Sequence, residues 1–258
     1  MKYLDAHIHL NLNEKDPVGD LAANLEQAGC SGAVLILNSD AEKCLFFKRR
    51  RELEDSGLMW HIGMLVDLNT PPENDYYSEL EENGFPYSLK LHPRFSRLSQ
   101  GDIPLILSRI QKTGLHYQNI IIDGFYYGYR IENCISQELA TAAACAFPQK
   151  TIVYSHAGGS HILDTLLHLR DLPNIVYDFS LSCNYLRRTS VYPDFVQMLR
   201  FNKMKVMFGS DHPDFKIPAA INATDEIADA AGLSPAEKES LFWGNAIKYY
   251  NFNRNGNL

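Results

Sequence analysis

The sequence predicts an α/β protein folded as one eight-stranded parallel barrel of the (β/α)8, or TIM, type. Three observations carry that prediction. Apolar, β-branched runs alternate with helix-length segments along the chain, which implies parallel strands joined by crossover helices. Eight such runs occur in 258 residues, about 30 residues per unit, the usual size of this barrel. No shift of composition, low-complexity tract or Pro/Gly-rich linker interrupts them, so residues 1–258 read as a single domain. An open doubly wound sheet is the structural alternative.

The first strand candidate is YLDAHIHL (3–10), followed by DLAANLEQAG, whose helical pattern ends at Gly29, a residue suited to a helix C-cap. GAVLILN (32–38), MWHIGMLVDL (59–68) and YSLKLHP (87–93) are the next strands, and IPLILSRIQKTG then repeats apolar residues at helical spacing. NIIIDGF (119–125) and TIVYSHAG (151–158) flank the helical SQELATAAACAF, and ILDTLLHLRDL leads to NIVYDFS (174–180). KVMFGSDHP (205–213) is the eighth strand. NATDEIADAAG and SPAEKESLFWGNAIKYY follow it; the second opens with Ser234 at the N-cap, Pro235 in the first turn and Glu237 at the capping-box position. The polar tail NFNRNGNL is expected to fray.

With 45% hydrophobic and 21% charged residues the composition is that of an ordinary globular protein, and a net charge of −7 argues against nucleic acid or an anionic membrane as the main partner. The N-terminus lacks the basic-then-apolar layout of a signal peptide, and no apolar run reaches membrane-spanning length. The cysteines at 30, 44, 134, 145 and 183 are scattered, odd in number and free of C-x-x-C spacing. They read as reduced thiols of a cytoplasmic protein.

In a strand, residues i and i+2 share a face, whereas a helix would splay them about 200° apart. His7 and His9 are therefore a pair if YLDAHIHL is a strand. TIM barrels carry their active sites at the C-terminal ends of the strands. At those ends stand His7 and His9, Lys90 and His92, Asp123, His156 and Asp211. Collected there from distant parts of the chain, they make His7 and His9 look like two arms of a metal site.

The segments DAHIHL, LKLHP, SHAGG, FGSDHP and FWGNAIKYY, in that order, resemble the amidohydrolase superfamily, specifically its amidohydrolase-related branch (amidohydrolase family 2). That resemblance implies a divalent metal, usually zinc, held by His7, His9 and Asp211 with further histidines from strands five and six. It makes Asp211 both a ligand and the base that takes a proton from water, and His156 a ligand or an acid that polarises the substrate. The chain departs from the family at strand five, where Asp123 stands in place of the usual histidine. Three alternatives follow. Asp123 is itself a ligand, which would also suit a harder ion such as manganese; or it is an acid/base group beside a metal held by His7, His9, His156 and Asp211; or the metal is lost.

Lys90 is expected to orient an anionic substrate or to stabilise the oxyanion, with a salt bridge to Asp123 as the rival. His92, Arg94, Tyr127 and Arg130, on or after strand ends four and five, are candidate substrate-binding residues, because arginines grip carboxylates and tyrosines offer flat surfaces. The expectation is a metal-dependent hydrolase of an ester, lactone or amide bond in a small anionic substrate. The alternatives are a decarboxylase on the same site, or a metal-free barrel serving as a lactonase or a binding protein. A homo-oligomer stays open.

Overall fold

The computed structural model, in which residues 1–66, 74–128 and 135–252 are described, contains eight parallel strands hydrogen-bonded in sequence order. They are β1 (Tyr3–Ile8), β2 (Cys30–Leu37), β3 (Met59–Leu65), β4 (Tyr87–Leu91), β5 (Asn119–Asp123), β6 (Thr151–Ser155), β7 (Ile175–Asp178) and β8 (Val206–Met207). The Ala6 N–H donates to the Phe208 carbonyl and the Asp211 N–H to the His7 carbonyl, both at 2.9 Å, which carries β8 onto β1 and brings the sheet round to a nearly closed barrel. The predicted fold class is the observed one.

Strand alternation sorts side chains into two layers. Leu4, Ala6, Val34, Ile36, Ile121, Val153, Val176 and Met207 fill the barrel interior. Ile120, Ile122, Ile152, Tyr154, Ile175 and Tyr177 point outward into the layer beneath the helices. The helices bury matching stripes: α4 (Ile103–Lys112) covers Ile103, Ile106, Leu107 and Ile110, spaced at i, i+3, i+4 and i+7. Each such aliphatic side chain contributes about 1.5–3 kcal/mol on burial. In α1 (Pro17–Gln27), Asp16 caps the start by accepting the Gly19 N–H at 3.1 Å. Gly29 follows the helix end at φ 73°, the left-handed conformation expected of it.

The closing helical segment shows its expected capping box at Ser234 and Glu237. It runs from α10 (Pro235–Glu239) through a wide π turn (Ser240–Gly244) into α11 (Asn245–Tyr249). The wide turn has a local cause. The Leu241 carbonyl accepts the Phe208 N–H at 3.0 Å, and the Asn245 N–H reaches back to Ser240 instead. Beyond α11 the chain plugs the N-terminal end of the barrel. There the buried His61 donates from Nδ1 to the Asn251 carbonyl at 2.7 Å and accepts the Ser88 hydroxyl on Nε2 at 2.7 Å.

All eight strands end earlier than the sequence suggests, and at two of them the backbone turns to positive φ. β6 stops at Ser155 because His156, Ala157 and Gly158 turn to φ values of 61°, 47° and 88°. β8 stops at Met207, and Asp211 sits at φ 60°. Positive φ is incompatible with an extended ladder. The end of the 59–68 strand prediction and residues 253–258 of the tail lie outside the described residues. Cys30, Cys44, Cys145 and Cys183 are free thiols, and no described helix is long and apolar enough to cross a membrane.

Candidate metal centre and active-site cleft

β1 shifts register against β2 on either side of Asp5. Asp5 Oδ1 accepts the backbone N–H groups of His7 (3.1 Å) and Ser210 (2.9 Å), so a carboxylate stands where a carbonyl would bridge the β1–β8 seam. Burial pushes this carboxyl up to about 7. The seam delivers His7, His9 and Asp211 to one point: Asp211 Oδ1 lies 3.6 Å from His7 Nε2 and 3.4 Å from His9 Nε2.

The protons on these rings are fixed from behind. His9 Nδ1 is 3.1 Å from the Ile36 carbonyl, which can only accept, so Nδ1 donates there and Nε2 faces Asp211. His7 Nδ1 likewise donates to Asp178 Oδ2 at 3.3 Å. Burial, aided by the Lys90 charge, lowers the His7 pKa to about 4 and keeps the ring neutral. Burial works against a charge on Asp211 as well, but the imidazoles of His9, His156 and His7 outweigh it and hold the carboxyl well below its usual range. Asp211 Oδ1 is buried with no hydrogen-bond partner. Two imidazole nitrogens and one carboxylate oxygen thus converge on one point, a donor set suited to a cation.

His156 is built differently. Gly158 and Gly159, both at positive φ, let the chain fold back after β6, and a Cβ on Gly158 would meet Thr165 Oγ1 at 2.1 Å. The His156 ring hydrogen-bonds the Ser180 carbonyl through Nδ1 (3.1 Å) and Asp123 Oδ2 through Nε2 (3.2 Å). Burial disfavours its charge, yet Asp123, then Asp211 and Asp178, raise its pKa to about 9. His156 and Asp211 are both non-glycine residues with φ near 60°, and such backbone costs about 1–3 kcal/mol each.

Asp123 Oδ2 also lies 3.5 Å from His92 Nε2 and 3.7 Å from Lys90 Nζ. Despite burial, His92, Lys90 and His156 together hold the Asp123 carboxyl far below its usual range. Among the described residues, two groups of three bring possible ligand atoms within 4.8 Å: His7, His9 and Asp211, and His7, His156 and Asp178. Asp123 belongs to neither, and the second group is already joined by internal hydrogen bonds.

Above these groups opens a cavity of about 400 Å³, lined by His7, His9, His92, Asp123, His156 and Asp211 at its base. The expectation for Lys90 needs correction. It is 1% exposed, hydrogen-bonds Ser155 Oγ at 3.3 Å and lies beneath Asp123, away from the cavity lining. Tyr127 lines the cavity, whereas the Arg94 guanidinium sits 3.2 Å over the Tyr127 ring at the rim. Arg130 lies outside the described residues. His212 takes a backbone role, its carbonyl accepting the His9 N–H at 2.8 Å.

The sequence reading missed Asp178, which orients His7 through Nδ1 and accepts the His156 N–H (3.1 Å) and the Ser180 hydroxyl. Its signal was present: Asp178 ends β7 just as Asp123 ends β5. Glu42 was also missed; it lies in the first turn of α2 (Asp40–Asp55), whose N-cap Ser39 accepts the Glu42 N–H, and its carboxylate lines the cavity, with Oε1 4.0 Å from His9 Nδ1.

Comparison with known proteins matches residues 61–252, well over half of the chain, to the family model described as Amidohydrolase. Among solved structures the chain is similar to an uncharacterized TIM-barrel protein from Bordetella bronchiseptica, with a TM-score of 0.67 at 14% identity over 96% of this chain and 98% of that one. A protein of Agrobacterium tumefaciens in an apo structure gives 0.66 at 12% identity over 97% and 96%. The TatD homologue YjjV of Escherichia coli K12 gives 0.51 at 14% identity over 96% and 98%. At these identities the likeness is one of fold. Comparison with curated proteins returned no match.

Proposed function

The chain belongs to the amidohydrolase family, and from that premise we propose a metal-dependent hydrolase that adds water to an ester, lactone or amide bond of a small molecule in the cleft. One observation carries this reading: the buried Asp211 Oδ1, without a hydrogen-bond partner, facing the Nε2 atoms of His7 and His9. His7, His9 and Asp211 would hold a divalent ion, and two imidazoles with one carboxylate are donors that zinc accepts, with manganese the harder alternative. A bound ion of this kind supplies a Lewis acid and lowers the pKa of water towards neutrality.

The chain's own residues supply the rest. Asp211, ionised at neutral pH, accepts the proton of the attacking water. His156, held as an imidazolium between Asp123 and Ser180, places positive charge at the cleft base, where an oxyanion forms. Asp123, with four donors directed at it, is better suited to anchoring His156 and His92 than to binding metal. Lys90 acts through Asp123.

The test is elemental analysis of protein purified without chelator, paired with a screen of esters, lactones and amides. The expected result is about one divalent ion per chain, with turnover lost on chelation and restored by zinc or manganese. Full turnover by metal-free protein would overturn the metal centre. Release of carbon dioxide from a carboxylic acid, without hydrolysis, would move the chain to the lyases.

A further inference from the structure

We infer that the cleft selects a flat, aromatic substrate that carries hydrogen-bond donors, and no anion, on the side that faces Glu42 and Asp214. The inference rests on the cleft being the substrate site of the hydrolase proposed above. The barrel divides the cleft walls in two. Strands β8, β1 and β2 are neighbours around the barrel, and the segments at and after their ends supply His9, Asn38, Glu42, Asp211 and Asp214. Strands β4 and β5 stand across from them and β7 borders β8; the segments that follow these three supply Phe95, Phe125, Tyr127, Leu181 and Tyr185.

The first wall is acidic. The Glu42 carboxylate is held in place by the Asn38 N–H (2.9 Å) and the Ser39 hydroxyl (2.8 Å), both on Oε2. Asp214 adds a second carboxylate beyond Asp211. Among the described residues that line the cleft there is no lysine or arginine. Carboxylate oxygens only accept hydrogen bonds, so this wall suits amine, hydroxyl or amide N–H groups. An anion placed there would meet like charge.

The second wall is aromatic and left open by folding. Phe95 is 52% exposed and Tyr185 64% exposed, and exposed apolar surface gathered around a cleft marks a binding site. The rings hold one another in place. Phe95 stacks on His92 with centroids 3.8 Å apart and planes at 13°, and Phe125 meets Tyr185 edge-on at 5.8 Å. Arg94, whose loop position suggested an anionic substrate, has its guanidinium on the Tyr127 face. A ligand whose carbonyl lies over His7, His9 and Asp211 therefore extends an aromatic ring against Phe95, Phe125 and Tyr185, and directs donors to Glu42 and Asp214.

Calorimetric titration of the protein as purified tests this with benzylamine, cyclohexylmethylamine and phenylmethanesulfonate. Benzylamine is expected to bind about tenfold tighter than either competitor. Phe95→Ala/Tyr185→Ala, both at exposed positions, should abolish the preference over the cyclohexyl amine, and Asp214→Asn should weaken benzylamine severalfold. Equal or tighter binding of the sulfonate, an unchanged ring preference in the double variant, or no binding of benzylamine would each overturn the inference. The readout is binding alone. A protein that binds as expected and hydrolyses nothing would retire the hydrolase reading and leave the cleft's preference for an aromatic, donor-bearing ligand standing.

Discussion

Asp123→Asn keeps the side chain's size and deletes its charge. The carboxylate lies 3.7 Å from Lys90 Nζ, 3.5 Å from His92 Nε2 and 3.2 Å from His156 Nε2. For Lys90 alone, at an effective dielectric constant of about 20, the attraction comes to about 4 kcal/mol. Lys90 is 1% exposed, and removing one partner of a buried pair strands the other, at a cost of about 3–5 kcal/mol. In a chain of this length 1 kcal/mol moves the melting temperature by about 2–4 °C, so Asp123→Asn should melt roughly 6–20 °C lower.

Adding Lys90→Met removes the stranded cation and should recover more than half of that loss. Against burial, Asp123 is also the first of the carboxylates, with Asp211 and Asp178, that raise the His156 pKa from 6.5 to about 9. A raised folded-state pKa contributes stability that is complete below 6.5 and fades as pH rises through 9; this alkaline decline should flatten in Asp123→Asn. Thermal unfolding from pH 6 to 9.5, with metal content measured on every variant, reads all three effects. If Asp123 is instead a metal ligand, the ion leaves the single variant and Lys90→Met rescues nothing. That pattern, or an unchanged melting temperature, refutes the ion-pair reasoning.

Asp211→Asn should reduce turnover by at least about a thousandfold, because an amide cannot take the water proton. Its melting temperature, measured on metal-free protein, should fall by less than that of Asp123→Asn, since Oδ1 has no hydrogen-bond partner to lose. Activity near that of the parent would remove Asp211 as the base. Burial lowers the His61 pKa from 6.5 to about 4, so its linkage stabilises fully above 6.5 and is lost as pH falls through 4. Urea unfolding of the parent should therefore show up to about 3 kcal/mol more acid sensitivity between pH 7 and pH 4 than His61→Gln, and parallel pH profiles would contradict this. Gly158→Ala combines φ 88° with a 2.1 Å approach to Thr165 Oγ1. It should cost at least about 2 kcal/mol and displace His156; a stable variant with full activity would show that this turn does not position the ring.

Local periodicity determined much of this protein. The eight strands, the left-handed Gly29 and the capping box at Ser234 were legible because burial alternates with a period of 2 in strands and 3.6 in helices, and because caps depend on neighbouring residues. The pairing of His7 with His9, and the gathering of Asp123, His156 and Asp211 at one end of the barrel, followed from the same alternation once the fold class was known. Tertiary structure decided what those residues do to each other. His7 takes its tautomer from Asp178, 171 positions away, and Asp123 takes its charge state from Lys90, His92 and His156 on two other strands. Lys90 ended beneath the cleft although its position on β4 equally suited a substrate contact, because the depth of a side chain depends on how the strands stagger when the sheet closes. The acidic and aromatic walls arise for the same reason: closing β8 onto β1 sets the segment after β8 beside those after β1 and β2, and that adjacency exists only in the closed barrel.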